Sequence, residues 1–266
     1  MSEKYSITKF FSLKYFMTFQ KQNYMKKIVI LIAFFAFFLG ETNAQGDLRI
    51  GFQASPGISW IQVVDENTIN SNGNNLGLKL GLLGEYYFQE NYALFAGIGF
   101  SFNQGGKLKF ENEGRYWPTA ELPILVPSRP EKLDTFPAGT TLHFKTQFVE
   151  IPFGLKLKTK EFGYLQYYVE IPTFTIGFRS QAKGIIEGDG ISEDIENDEF
   201  IIKKELNPIA MSWGVGIGAE YNVSTTTAIV AGLSFQRVFT DVLKDNNSNG
   251  AKANMNNITL RIAVFF

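Results

Sequence analysis

From Leu76 to Phe102 the chain alternates with a period of two, and this pattern most narrowly limits what it can fold into. Leu76, Leu78, Leu80, Leu82, Tyr86 and Phe88 share one parity, with Gly77, Lys79, Gly81 and Glu85 between them. After Gln89-Glu90-Asn91 the apolar face resumes with Tyr92, Leu94, Ala96, Ile98, Phe100 and Phe102, against Gly97, Gly99, Ser101 and Asn103. Successive strand side chains point to opposite faces, so this is a hairpin with one apolar face. The same grammar recurs in "LRIGFQA" from Leu48, "FVEIPFGLKLK" from Phe148, "YVEIPTFTIGF" from Tyr168, "IAMSWGVGIGAEY" from Ile209, "TAIVAGLSFQ" from Thr227 and "ITLRIAVFF" from Ile258. Together these segments predict eight strands.

The connections alternate in length. Short turns are expected near 89–91, 159–163 and 222–226, and long segments near 60–75, 104–141, 181–207 and 244–256. Outer-membrane barrels combine an even strand number with short periplasmic turns and long external loops. The expected fold is therefore all-β: an eight-stranded antiparallel up-and-down transmembrane barrel with both chain ends on the periplasmic side. Alternation alone does not say which face is wet, since a soluble lipocalin-like barrel turns its apolar face inward. Three features favour the membrane. Most strands carry an apolar band long enough to cross hydrocarbon when tilted. Tyr86, Phe88 and Tyr92 gather around one short turn, as an interfacial girdle does. The opposite face mixes glycine with charges of both signs, which suits a narrow packed lumen.

Composition removes several alternatives. Lysine and arginine number 25 against 26 acidic residues, a net charge of −1, which offers no basic excess for nucleic acid. Cysteine is absent, excluding disulfides, thiolate metal sites, a cysteine nucleophile and an acylated lipoprotein cysteine. Met25-Lys26-Lys27, the apolar run Ile28–Leu39 and Thr42-Asn43-Ala44 have the three-part layout of a secretory signal peptide cleaved after Ala44. The domain reading is thus an upstream extension at 1–24, with Met25 the expected true start, a signal peptide at 25–44 and a barrel at 45–266.

V-E-I-P occurs twice, at Val149–Pro152 and Val169–Pro172. With a turn centred on Lys160, Ile151 would face Val169, Phe153 Tyr167 and Leu155 Leu165, and Glu150 would lie directly opposite Glu170. Like charges so placed repel, which predicts that Arg261 and Lys79 complete a network with them. Over the whole lumen face Arg49, Lys79, Lys156 and Arg261 balance Glu85, Glu150, Glu170 and Glu220, as buried charges require. Pro152 and Pro172 each lack a ladder donor and are expected at bulges. Apolar parity does shift after Pro172, from Val169 and Ile171 to Phe174, Ile176 and Phe178.

"FVEIPFGLKLK", the "WGVGIGAEY" type of segment, "GLSFQRVFTDV" and a last strand ending in Phe266 together resemble the PorT-like outer-membrane β-barrel domain family over about residues 46–266. The resemblance implies an eight-stranded barrel in the outer membrane, inserted by the barrel-assembly machinery through the last strand with Phe266 as its signal. It also implies no enzymatic activity and, for some members, association with protein secretion.

Catalytic and cofactor chemistry has little footing in the sequence. His143, the single histidine, has no Ser-His-Asp or metal spacing around it. Gly214, Gly216 and Gly218 form no G-x-G-x-x-G and read as small lumen residues. No cofactor or metal is expected. Two long segments are candidates for recognition. "EGDGISEDIENDE", Glu187 to Glu199, could hold Ca²⁺ or bridge to lipopolysaccharide, or be a solvated loop; it lacks the EF-hand order. The segment 105–141 holds five prolines beside Arg115, Tyr116 and Trp117, residue types that anchor protein interfaces, although packing on the barrel rim would use them equally.

Overall fold

The computed structural model describes residues 47–63, 69–114, 120, 136–189, 191, 196, 198–244 and 252–266. The upstream extension, the signal peptide, Arg115, Tyr116, Trp117 and six of the 13 residues of the acidic segment lie outside these residues. Among the described residues nine strands are formed: β1 (Asp47–Val63), β2 (Ile69–Gln89), β3 (Tyr92–Phe110), β4 (Thr141–Lys158), β5 (Leu165–Glu187), β6 (Glu199–Ile201), β7 (Ile209–Asn222), β8 (Ala228–Val238) and β9 (Ala253–Phe265). All pair antiparallel, and the pairings of β1 with β9 and β4 with β5 close a ring of eight. β6, three residues long, pairs only with the outer end of β5.

Which face is wet follows from exposure. Ile50, Phe52, Leu80, Leu94, Ile98, Ile151, Phe153, Trp213, Leu233 and Leu260 point outward and are exposed, while Glu85 and Glu220 inside are 0% exposed. Such a surface would be ruinous in water and is what hydrocarbon requires, so the lipocalin-like alternative is excluded. On β2 the outward band runs from Leu76 to Phe88. At about 3.3 Å per residue and a tilt of about 40° it spans ~30 Å, the thickness of the hydrocarbon core.

The strands do not stop at the membrane. β1, β2, β3, β4 and β5 continue into the stretches expected as long loops, so those connections are shorter than the alternation implied. β2 runs seven residues beyond Leu76 to Ile69, or ~18 Å by the same geometry. In this outer zone the apolar side chains turn inward: Ile61, Val63, Ile69, Leu108, Phe110, Leu142, Phe144, Ile186 and Phe200 form one buried core with Phe136, Ile202 and Leu206. Water now surrounds the barrel, and burial inside it becomes favourable.

Bulges reconcile the two zones. On β3, Asn103 (φ 54°) makes the register slip between Ser101 and Gln104, so Leu94 to Phe100 face lipid while Leu108 and Phe110, of the same parity, face the core. Gly105 follows at φ 142°, where a Cβ would meet the Phe144 carbonyl oxygen at 2.2 Å. On β5 the slip between Glu170 and Thr173 falls at Pro172. Pro152, by contrast, sits in regular register opposite Thr175; the expected bulge there is absent.

The β4–β5 register also differs from expectation. Ile151 faces Ile176, Phe153 faces Phe174, Glu150 faces Gly177 and Glu170 faces Lys156, so the two glutamates are not opposed. The turn is centred on Gly163 rather than Lys160. Gly163 takes φ 68°, Phe162 and Leu165 exchange backbone hydrogen bonds of 2.8 and 3.2 Å, and Thr159 N donates to Tyr167 O at 2.9 Å. A left-handed turn residue selects glycine, and moving the centre shifts every pair.

Candidate functional site

Three layers fill the barrel from its periplasmic mouth outward. The innermost is built on Lys156, 0% exposed at its side chain, whose ammonium lies 2.6 Å from Glu85 Oε1 and also pairs with Glu220 Oε1. Tyr87 OH donates to Glu85 Oε2 at 2.8 Å. Glu220 Oε2 is shared by Arg49 and Lys158, each at 3.2 Å, and Arg49 reaches Glu85 at 3.9 Å. Lys156 lies 4.6 Å from the Tyr168 ring centroid and 5.2 Å from that of Phe265, a cation–π sandwich. Tyr168 fits because the wall opposite is Gly218 and Gly232, where a Cβ would approach its ring or hydroxyl to within 2.6 Å. β7 and β8 thus supply the small lumen surface that lets one aromatic cross a narrow bore.

The middle layer holds the remaining lumen charges. Lys79 Nζ lies 3.2 Å from Glu150 and donates to Gln236 Oε1 at 2.8 Å, while Gln236 Nε2 donates to Thr175 Oγ1 at 3.0 Å. Arg261 pairs with Glu170. Hence Arg261 and Lys79 do meet the two V-E-I-P carboxylates, one each, although those carboxylates sit apart. Between the pairs is a cavity of about 50 Å³, bordered by Ser55, Thr173 and Arg261, whose Oγ, Oγ1 and Nε/Nη2 atoms lack protein partners. Such a polar hollow suits ordered water.

The outer layer is the apolar core described above, rimmed by charge pairs that the sequence reading did not identify. Lys107 lies 2.8 Å from Glu187, and Glu199 takes Lys145 at 3.2 Å and Lys183 at 2.8 Å. His143 belongs to this rim. Asn75 Nδ2 donates to the Phe144 carbonyl at 2.8 Å, which leaves Asn75 Oδ1 to accept from His143 Nε2 at 2.6 Å. Burial holds the His143 pKa below the usual imidazole value, and Lys107 and Lys145 push it the same way against Glu187 and Glu199. The partner of His143 is a structural amide, that of Asn75. Among the described residues no group of three or more His, Cys, Asp or Glu side chains could hold a metal.

Of the remaining sequence candidates, Phe266 ends the chain against β1: its N–H donates to Ile50 O at 2.8 Å, and it accepts from Ile50 N at 3.2 Å. Its ring is exposed on the lipid side, whereas Phe265 is wholly buried in the lumen. Lys158 was missed in the sequence, although it shares the parity of Lys156 and so had to face the same interior.

Comparison with known proteins agrees with this geometry. Residues 43–244 match the family described as "Outer membrane protein beta-barrel domain". A search of curated proteins finds no match. Among solved structures, Neisserial surface protein A (NspA) is 13% identical, with 83% of this chain and 97% of that chain covered at a TM-score of 0.41. Ail, the attachment invasion locus protein of Yersinia pestis, is 12% identical, with 83% and 99% covered and a TM-score of 0.35. OprG from Pseudomonas aeruginosa is 10% identical, with 83% and 96% covered and a TM-score of 0.38. With a closed eight-stranded ring, an outward apolar belt and a family match over most of its length, the chain belongs to the outer membrane protein beta-barrel domain family and resides in the outer membrane.

Proposed function

We propose that this barrel is a non-conducting, non-catalytic structural or interaction protein that recognises a partner through its extracellular side, and that its finer role is that of a PorT-like accessory to protein secretion. The observation that supports this reading best is the outer apolar core. Strands prolonged well past the membrane and packed around Phe136, Phe144 and Phe200 make a pedestal from which the chain continues after β3 and after β5. A pore would gain nothing from such a roof. Arg115, Tyr116 and Trp117 fall on the first of these segments and are the proposed recognition anchors. Lipopolysaccharide is the natural neighbour of the outer rim, and Phe266 the natural signal for the barrel-assembly machinery.

Gly114 and Phe136 exchange backbone hydrogen bonds of 3.1 and 2.8 Å, so residues 115–135 can be replaced by a short Gly-Ser link without pulling the strands apart. Cross-linking on whole cells should then lose a partner that the intact protein captures, with heat-modifiable gel mobility unchanged. Capture that persists in this variant overturns the assignment of the anchors. A hydrophobic-ligand transporter or small channel is the competing reading. Steady single-channel conductance of the purified protein in a planar bilayer would establish it and remove ours.

A further inference from the structure

The periplasmic mouth opens into a cup of about 530 Å³, on the side of the barrel away from the recognition role proposed above. Arg49 and Lys158 stand at its floor, Gln166 and Asn222 on its wall, and the Ser224–Thr227 turn forms one rim. Backbone and side chain hold that turn closed: Ser224 Oγ accepts from Thr227 N at 3.0 Å and from Thr226 N at 3.3 Å.

Among the described side chains beneath the cup, Arg49, Lys156 and Lys158 face Glu85 and Glu220, three cations against two carboxylates. Lys156, between both acids, is fully served. Arg49 and Lys158 share the single oxygen Glu220 Oε2; Arg49 has in addition Glu85 at 3.9 Å and the Tyr87 hydroxyl at 3.4 Å, and Lys158 the neutral Gln166 Oε1 at 3.2 Å. A further acid, Glu161, lies on the rim, where it accepts from Asn222 Nδ2 at 2.7 Å. Side-chain exposures of 19% for Arg49 and 7% for Lys158 put both cations nearly out of bulk water. Charge so buried calls for a counter-charge, and the cup gives an open approach to it.

We propose that the periplasmic cup binds a single oxyanion group, a carboxylate or phosphate, carried on a periplasmic ligand. The anion lies over Arg49 and Lys158, supplies the missing negative charge and takes further hydrogen bonds from the hydroxyls of the Ser224–Thr227 turn. Charge-assisted hydrogen bonds of this kind are the strong ones.

The test uses the full mature protein folded in nanodiscs, titrated separately with inorganic phosphate and sodium acetate against sodium chloride at matched ionic strength. Amide shifts of Ser224 to Ala228 report occupancy. Saturable shifts with phosphate, acetate or both are expected, weakening about tenfold in Lys158→Gln and unchanged in Lys160→Gln, an exposed lysine outside the cup. Phosphate alone identifies a phosphate-bearing ligand, acetate alone a carboxylate-bearing one. Lys158→Gln removes the surplus cation and should fold normally. Should it not, Thr225→Val with Thr226→Val must give the same weakening. Equal response to chloride, or phosphate and acetate affinity unaltered in these variants, overturns the proposal.

Discussion

Replacing Lys156 with methionine tests whether the lumen behaves as a desolvated interior. The ammonium is wholly buried, 2.6 Å from Glu85 and in contact with Glu220. At an effective dielectric near 20, one such contact is worth ~6 kcal/mol gross, most of it consumed in removing the ions from water. Losing the cation alone strands its partners, a cost of about 3–5 kcal/mol. The partners are not equally stranded. Glu220 keeps Arg49 and Lys158 at 3.2 Å, whereas Glu85 retains only Tyr87 OH and Arg49 at 3.9 Å. Lys156→Met with Glu85→Gln should therefore recover most of the loss. Lys156→Met with Glu220→Gln should not, because it leaves Arg49 and Lys158 facing Glu85 alone. Urea unfolding from lipid vesicles can follow the fluorescence of Trp213, which lies on the lipid face at 46% exposure. With a slope of about 2 kcal/mol/M, a loss of about 3 kcal/mol moves the midpoint by ~1.5 M. A midpoint within about 0.3 M of the parent, or equal rescue by both second changes, would refute the reasoning, since a solvated lumen screens the carboxylates without help.

Three other perturbations address the remaining zones. Phe144→Ala empties a fully buried site of the outer core and should cost about 3–5 kcal/mol; limited proteolysis from outside intact cells should then cut the extracellular segments, with heat-modifiable mobility retained. Ile98→Arg puts a charge on the lipid face, where Ile98 is 52% exposed; near the midplane it should cost about 2–4 kcal/mol, read in the same vesicle unfolding assay. The depressed His143 pKa, caused first by burial, means that the opened outer zone binds the proton more tightly than the closed one. Stability of the rim is then present above the free-imidazole value and falls as pH drops below it. Amide protection factors at Phe144 and Asn75, corrected for the intrinsic pH dependence of exchange, should fall below about pH 6.5 and be insensitive to pH in His143→Gln.

Much of the barrel was legible because alternation needs nothing but parity. The interior charges could be named for the same reason: Glu85, Lys156, Glu170, Glu220 and Arg261 all oppose an apolar residue type on their own strands. Pairing was a different matter. Centring the β4–β5 turn on Lys160 rather than Gly163 moved each partner along the strand while keeping both faces correct, so parity could not detect the error. Gly163 was the available signal, a glycine inside a short turn. The outer rim pair of Lys107 with Glu187 joins β3 to β5 across β4 and has no local signature.

The prolonged strands were hidden by a deeper ambiguity, for apolar parity reports the solvent as well as the strand. On β4 the interior residues keep even numbers from Leu142 to Lys156, but the apolar ones change from Leu142, Phe144 and Phe148 to Ile151, Phe153 and Leu155. Read as pattern, that is a strand breaking near Val149; physically it is one strand leaving lipid and entering water. β3 shows the converse: its apolar parity persists because the bulge at Asn103 turns the backbone as the surroundings change. On β5 the slip at Pro172 serves the interior instead, keeping Glu170 on Arg261 while Phe174 goes out to stack 5.7 Å from Phe153. A parity change in such a chain thus has two causes, a bulge or a change of medium. On β4 the register slips against both neighbours at this level, but the extra residues lie in β3 at Asn103 and in β5 between Arg179 and Gln181, so the backbone of β4 alternates without a bulge and only its medium changes.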